Sequence, residues 1–152
     1  MQIIGFTLKK ILIERKNPIQ GKLEIKSNIT IDDIKTEEVT ISKSPSLKFD
    51  FTFSLDYEPN VAKLEIKGSI IIMDDSEEYK EILKSWKKKK FESTIKTNIF
   101  NFILEKCNIK AIQLEDELAL PIHLPFPKIT NNPTPQKEQK EQKESSNPKY
   151  AG

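Results

Sequence analysis

The sequence is poor in the residues that build chemical sites. Among 152 residues it holds one cysteine, one histidine and four dispersed glycines. Cys107 alone excludes an internal disulfide framework and a thiolate metal centre, and makes a reducing cytoplasm the simplest setting. His123 has no second histidine with which to form a histidine-rich metal site. Glycines this scattered make no phosphate cradle. A strong charge of one sign is also missing: 25 basic against 23 acidic residues leave a net charge of +2. No global field therefore demands nucleic acid or an anionic membrane, and any electrostatic role must come from local runs. No apolar run reaches the roughly 18 residues of a membrane span. Residues 1–12 place Lys9 and Lys10 inside an apolar pattern, unlike a signal peptide. These absences make an enzyme the weakest class, with no catalytic residue, cofactor or metal expected.

What is present is alternation. Ile4, Phe6 and Leu8 share one face, and Ile11 and Ile13 resume the period after a slip at Lys9 and Lys10, as a bulged strand would. Leu23, Ile25, Ile29 and Ile31 form a second set, ended by Asp32 and Asp33, and a short strand is expected around Val39 to Ile41. The stretch "LKFDFTFSLDY" sets Leu47, Phe49, Phe51, Phe53, Leu55 and Tyr57 on one side. Burying each phenylalanine is worth roughly 1.5–3 kcal/mol, so something must cover that face. Glu58, Pro59 and Asn60 turn the chain into a return strand from Val61 to Met73, whose period Gly68 loosens.

The period then becomes helical. Tyr79, Ile82, Leu83 and Trp86 predict a helix over 76–89, capped by Asp75 or Ser76. A second helix is expected over 93–108 on Ile95, Ile99, Phe102, Ile103 and Cys107. Phe100 and Leu104 widen its stripe, as if it were gripped from two sides, and "NIKAIQLEDE" follows as a frayed or extended piece. Next comes "LALPIHLPFPKI", residues 118–129, oily yet broken by Pro121, Pro125 and Pro127, which suits neither a long helix nor a central strand. Residues 1–130 read as one α+β domain, an antiparallel meander of about four strands packed by C-terminal helices on one face. Residues 131–152, with "QKEQKEQKE", read as a disordered low-complexity tail.

Three groups are candidates for sites. The run Trp86, Lys87, Lys88, Lys89 and Lys90 is a possible nucleic-acid contact, with a helix-dipole complement as the competing reading. Cys107 and His123 read as an inert core thiol and a surface imidazole rather than a nucleophile pair. The acidic pairs Asp32-Asp33 and Asp74-Asp75, and the run Glu115-Asp116-Glu117, match no calcium loop and read as turn and capping chemistry. Apolar surface remains in excess of what one small domain needs, which points to oligomerisation or to the binding of apolar chains.

The opening strand "FTLKKI", the strands "LKFDFTFSLDY" and "AKLEIKGSIII", the helix "NIFNFILEKC" and the ending "LALPIHLPFPKI" occur in an order that resembles the bacterial SecB family of export chaperones. The resemblance covers most of residues 3–129. A helix from Tyr79 to Lys90 stands where that family carries a cysteine-bearing loop, and the family's acidic surface is not reproduced. The "ERK" after the first strand and the "WKKKK" helix also resemble small archaeal proteins of unassigned role. The SecB likeness implies a four-stranded antiparallel sheet with helices on one face, a homotetramer built as a dimer of dimers, and nucleotide-independent protection of unfolded clients. Phe49, Phe51, Phe53, Ile122, Leu124 and Phe126 are the expected polypeptide-binding or interface residues, with core packing the competing role for the three phenylalanines. The alternatives are an RNA- or ribosome-associated accessory protein and a structural subunit of a hetero-complex.

Overall fold

A computed structural model describes residues 1–40, 43–74, 77–91 and 95–131. Four strands, β1 (Gln2–Arg15), β2 (Glu24–Glu37), β3 (Ser46–Glu58) and β4 (Ala62–Met73), precede two helices, α1 (Glu78–Lys87) and α2 (Lys96–Glu117). All strand pairings are antiparallel, in the spatial order β1-β4-β3-β2. The α+β class is as expected, with one correction to the meander. Only β2, β3 and β4 follow one another through space, while β1 crosses to the far edge and pairs with β4. Its apolar residues explain the choice: Ile3, Phe6, Leu8 and Ile13 pack against the core from beside β4, whose Ile66, Ile70 and Ile72 are buried.

The aromatic face of β3 fixes the layering. Leu47, Phe49, Phe51, Phe53, Leu55 and Tyr57 are all buried, opposite Leu64, Ile66, Ile70 and Ile72 of β4. Gly68 does not loosen β4 but makes this face possible. A Cβ there would lie 2.6 Å from the Thr7 carbonyl oxygen and 2.8 Å from Phe51 Cζ, so only glycine lets the β1 backbone and the Phe51 ring approach together. The opposite face of the sheet is ionic. Lys9 meets Asp50 at 2.7 Å, Lys10 meets Glu65 at 3.1 Å and Lys26 meets Glu58 at 3.1 Å. Burial pushes the Asp50 carboxyl up, but the Lys9 hydrogen bond and the charges of Lys9, Lys35 and Lys48 more than offset it, leaving the group below its usual range.

Both edge strands are bulged, and this alters the pattern read from sequence. The expected slip at Lys9 is present, and a second bulge at Ile4 gives the core side to Ile3 and turns Ile4 outward. β2 does not stop at Asp32 and Asp33. It passes through them with Asp32 as the extra residue, held by the hydroxyls of Thr30 (3.0 Å) and Thr52 (2.5 Å), and Ile34 then returns to the core. Val39 and Thr40 are not in a strand, and Ile41 lies outside the described residues.

α2 covers the aromatic face through Ile99, Ile103, Cys107, Ala111 and Glu115, one buried residue every four. Phe102 meets Phe6 edge-on, with ring centroids 5.5 Å apart. The helix runs nine residues past its expected end at Asn108, so "NIKAIQLEDE" is helical. α1 lies at the β2 edge, where Ile82 is buried and Trp86 Nε1 donates to Asp33 Oδ1 at 3.3 Å. The expected caps Asp75 and Ser76 and the expected start of the second helix at Ser93 lie outside the described residues, as does the tail from 132 to 152. No helix among the described residues is long and apolar enough to cross a membrane.

Candidate polypeptide-binding surface

The oily segment begins at the end of α2, where the backbone makes a Schellman turn. Leu120 N–H donates to Glu115 O at 2.9 Å and Ala119 N–H to Asp116 O at 3.2 Å, with Ala119 in the left-handed region at φ 50°. Glycine is the usual residue there, and alanine accepts the strain because the surroundings hold it. Arg15, at the end of β1, donates from Nη1 to the carbonyls of Leu118 (3.0 Å) and Ala119 (3.2 Å), and Leu120 is buried. The last turn of α2 is thereby tied to the far edge of the sheet.

The chain then folds back along α2 to a buried polar cluster. Glu115 is fully buried. Its Oε1 accepts from the hydroxyl of Tyr57 on β3 and, at 2.7 Å, from His123 Nδ1. The His123 backbone N–H reaches both carboxylate oxygens at 3.3 and 3.4 Å, and Nε2 lies 2.9 Å from Asn108 Oδ1. Phe53 packs edge-on against the imidazole. Burial, then the hydrogen bond and charge of Glu115, push the Tyr57 phenol well above its ordinary range. The carboxylate that a hydrophobic pattern would reject is thus the point at which sheet, helix and proline segment meet. His123 is accordingly not a surface imidazole: its side chain is 5% exposed. Cys107 is buried as expected, and burial pushes its thiol up to about 12.

Beyond the anchor the segment is oily and open. Ile122 is 37% exposed, Leu124 38% and Phe126 54%. The other three expected contact residues are placed differently. Phe49, Phe51 and Phe53 form the core beneath α2 and reach no partner while the helix is in place. Sequence reasoning missed Ile109 on the outer side of α2, and Ile11 and Leu12 on β1, which are also exposed. In the basic run, Trp86 is half-buried with its N–H engaged by Asp33, whereas Lys87, Lys88, Lys89 and Lys90 are all exposed. The acidic candidates are separated by use: Asp33 serves Trp86 and the Ile34 amide, and Glu115 serves the cluster. Among the described residues no group of three or more His, Cys, Asp and Glu side chains is placed to hold a metal ion.

The fold is that of an α+β domain with a four-stranded antiparallel sheet, covered on one face by a long helix and edged by a short one. No known family matches the chain, and no curated protein does. Among solved structures it is similar to a SecB-like chaperone of Mycobacterium tuberculosis in complex with a ChAD peptide from an antitoxin. The identity is 15% and the TM-score 0.49, over 88% of this chain and 92% of that one.

Proposed function

We propose that this chain is a polypeptide-binding chaperone that works without nucleotide, and that residues 122–129 contribute its client contact. The observation that carries this reading is the contrast within one segment. Leu120 and His123 are held by buried groups, whereas Ile122, Leu124, Phe126 and Ile129 keep apolar surface in solvent on a backbone that Pro125 and Pro127 hold extended. An extended, pre-organised apolar strip suits another extended chain, since little ordering entropy is lost on either side. A homo-oligomer in the cytoplasm, tetrameric by the SecB resemblance, is the assembly this reading favours. Docking on an export translocase is not needed for it. Phe49, Phe51 and Phe53 join the contact only if α2 lifts from the sheet.

The test replaces Ile122, Leu124 and Phe126 together by serine, which keeps both anchors and all the prolines. Aggregation of a chemically denatured client is followed by light scattering at rising ratios of the protein. Three half-exposed side chains are worth about 3 kcal/mol in all, or roughly a 100-fold loss of client affinity. Scattering that the unaltered protein leaves unchanged at every ratio sinks the proposal. Stable, stoichiometric association with one folded partner instead would favour the structural subunit of a hetero-complex.

A further inference from the structure

Five lysines on the open face of the sheet face carboxylates: Lys9 and Lys35 face Asp50, Lys10 faces Glu65, Lys26 faces Glu58 and Lys48 faces Glu37. Those at the C-terminal end of α1 do not. Lys84, Lys87, Lys88, Lys89 and Lys90 are all exposed, and none makes a salt bridge among the described residues. The helix dipole favours cations in its last turn, and Lys84 and Lys87 already occupy that turn. Lys88, Lys89 and Lys90 lie past it.

Capping does not need their ammonium groups either. The end of α1 is a second Schellman turn, with Lys90 N–H donating to Ser85 O at 3.0 Å and Lys89 N–H to Trp86 O at 2.8 Å. The backbone satisfies the last carbonyls, and Lys89, at φ 56°, reverses the chain there. The positive surface continues beyond the turn. Phe91 stacks on Phe100 at 6.4 Å, and Lys96 Nζ lies 5.6 Å over the Phe100 ring.

We propose that Lys84, Lys87, Lys88, Lys89, Lys90 and Lys96 form a docking surface for the phosphates of a nucleic acid, read without regard to base sequence. The chemistry favours phosphate over a patterned protein partner. Lysine carries a point charge on a flexible four-carbon stem and can follow a flexible, evenly charged backbone. No acidic residue interrupts the run from Lys84 to Lys90, which matches a uniformly charged polyanion rather than a protein surface of mixed sign. No base stacking is invoked, because the Trp86 N–H is held by Asp33 and Lys96 covers the Phe100 ring. This surface stands independently of the chaperone reading.

The full chain is titrated into fluorescently labelled oligouridine and followed by anisotropy. If four of these lysines each displace a counterion from a single strand, affinity falls about 50-fold between 50 and 200 mM salt. Glutamine at residues 87–90 should weaken binding at 50 mM salt by about tenfold or more, while Lys9→Gln with Lys10→Gln on the sheet leaves it unchanged. The double variant Lys87→Gln with Lys88→Gln keeps the left-handed position intact and should give an intermediate loss, so altered folding at Lys89 cannot mimic the result. The proposal is overturned by absence of binding at 50 mM salt, by binding insensitive to salt, or by a folded quadruple variant that binds as well as the parent. Displacement of the oligonucleotide by an equal charge concentration of polyglutamate also overturns it, since the partner would then be an acidic polypeptide.

Discussion

Replacing His123 by alanine tests the anchor of the proline segment directly. The substitution removes the donor 2.7 Å from Glu115 Oε1 and the ring contact with Phe53, and leaves a fully buried carboxylate with the Tyr57 hydroxyl and one long backbone donor. A hydrogen bond to a charged group contributes about 1.5–3 kcal/mol, and stripping a partner from a buried charge costs about 3–5 kcal/mol. A loss of about 3 kcal/mol is therefore expected, a large share of the stability of a domain this size. Tyr57→Phe removes one donor from the same carboxylate and should cost about 1.5–3 kcal/mol. Since both act on Glu115, the double variant should depart from additivity by about 1 kcal/mol. Urea unfolding followed through Trp86, the single tryptophan, reads the global term. Amide hydrogen exchange over residues 118–129 reads the local one. His123→Ala should accelerate exchange in that segment far more than in β3 or β4. If stability stays within about 0.5 kcal/mol of the parent and exchange in the segment is unaltered, the cluster is not an anchor and the segment is held by something else.

Five further outcomes follow from single positions. Gly68→Ala should destabilise by about 1–3 kcal/mol, because the new Cβ meets the Thr7 carbonyl and the Phe51 ring at once; a thermal melt within 1 °C of the parent would refute that crowding. Ala119→Gly should stabilise by about 1 kcal/mol by relieving the left-handed backbone, whereas Arg15→Ala should lower stability by a similar amount through the two carbonyls it releases; both are read from denaturant midpoints. Cys107, buried and with its thiol pushed up to about 12 from an ordinary 9.0, should resist a thiol-specific reagent at pH 8 until the protein unfolds. The sign for stability is fixed by the same shift: the folded state holds the proton more tightly, so the contribution is complete below pH 9 and declines as pH rises from there towards 12, by up to about 1.4 kcal/mol per unit. Fluorescence-monitored melts at pH 8 and pH 10.5 of the parent and of Cys107→Ala separate this thiol from other groups.

The parts of the fold legible in the sequence are those set by a single short-range pattern. β3 alternates so strictly that its buried face and its turn into the return strand follow from the residues between Leu47 and Asn60. The bulge at Lys9 could be read because two lysines interrupt an otherwise apolar period. The bulge at Ile4 could not, because Ile3 and Ile4 are both apolar and either could face inward; the choice is made by Ile71 and Ile72 across the ladder. Asp32 and Asp33 looked like an end to β2 because two acids break a strand pattern. The hydroxyls that hold Asp32 come from Thr30 and, across the ladder, Thr52. The crossing of β1 to β4 is equally invisible locally, since it depends on which edge offers an apolar neighbour.

The end of α1 falls within two residues of the expected one, whereas that of α2 escaped notice. Each closes with a Schellman turn whose left-handed residue is Lys89 or Ala119 rather than glycine, so the sequence carries no stop signal. Past Asn108 the stripe of α2 continues through Ala111 to Glu115, and a carboxylate in the core position made the last turns look polar and exposed. Its solvation comes from Tyr57, 58 residues earlier in the chain, and from His123, eight residues later in the segment that the helix was supposed to precede. Here the anchor, the length of α2 and the placement of the proline segment are one problem. Removing Glu115 from the solvent requires the segment to fold back, and folding it back fixes Leu120 and His123 while leaving Ile122, Leu124 and Phe126 at the surface. The exposed apolar strip is thus a geometric consequence of satisfying a buried charge. Replacing that charge by a leucine, with Tyr57→Phe and His123→Leu, should keep the domain folded but free residues 121–129 from a fixed path, raising their hydrogen exchange while α2 retains its helical signal. Loss of the helix beyond Asn108 in that variant would show instead that the cluster, and not the Schellman turn with Arg15, holds the last turns of α2.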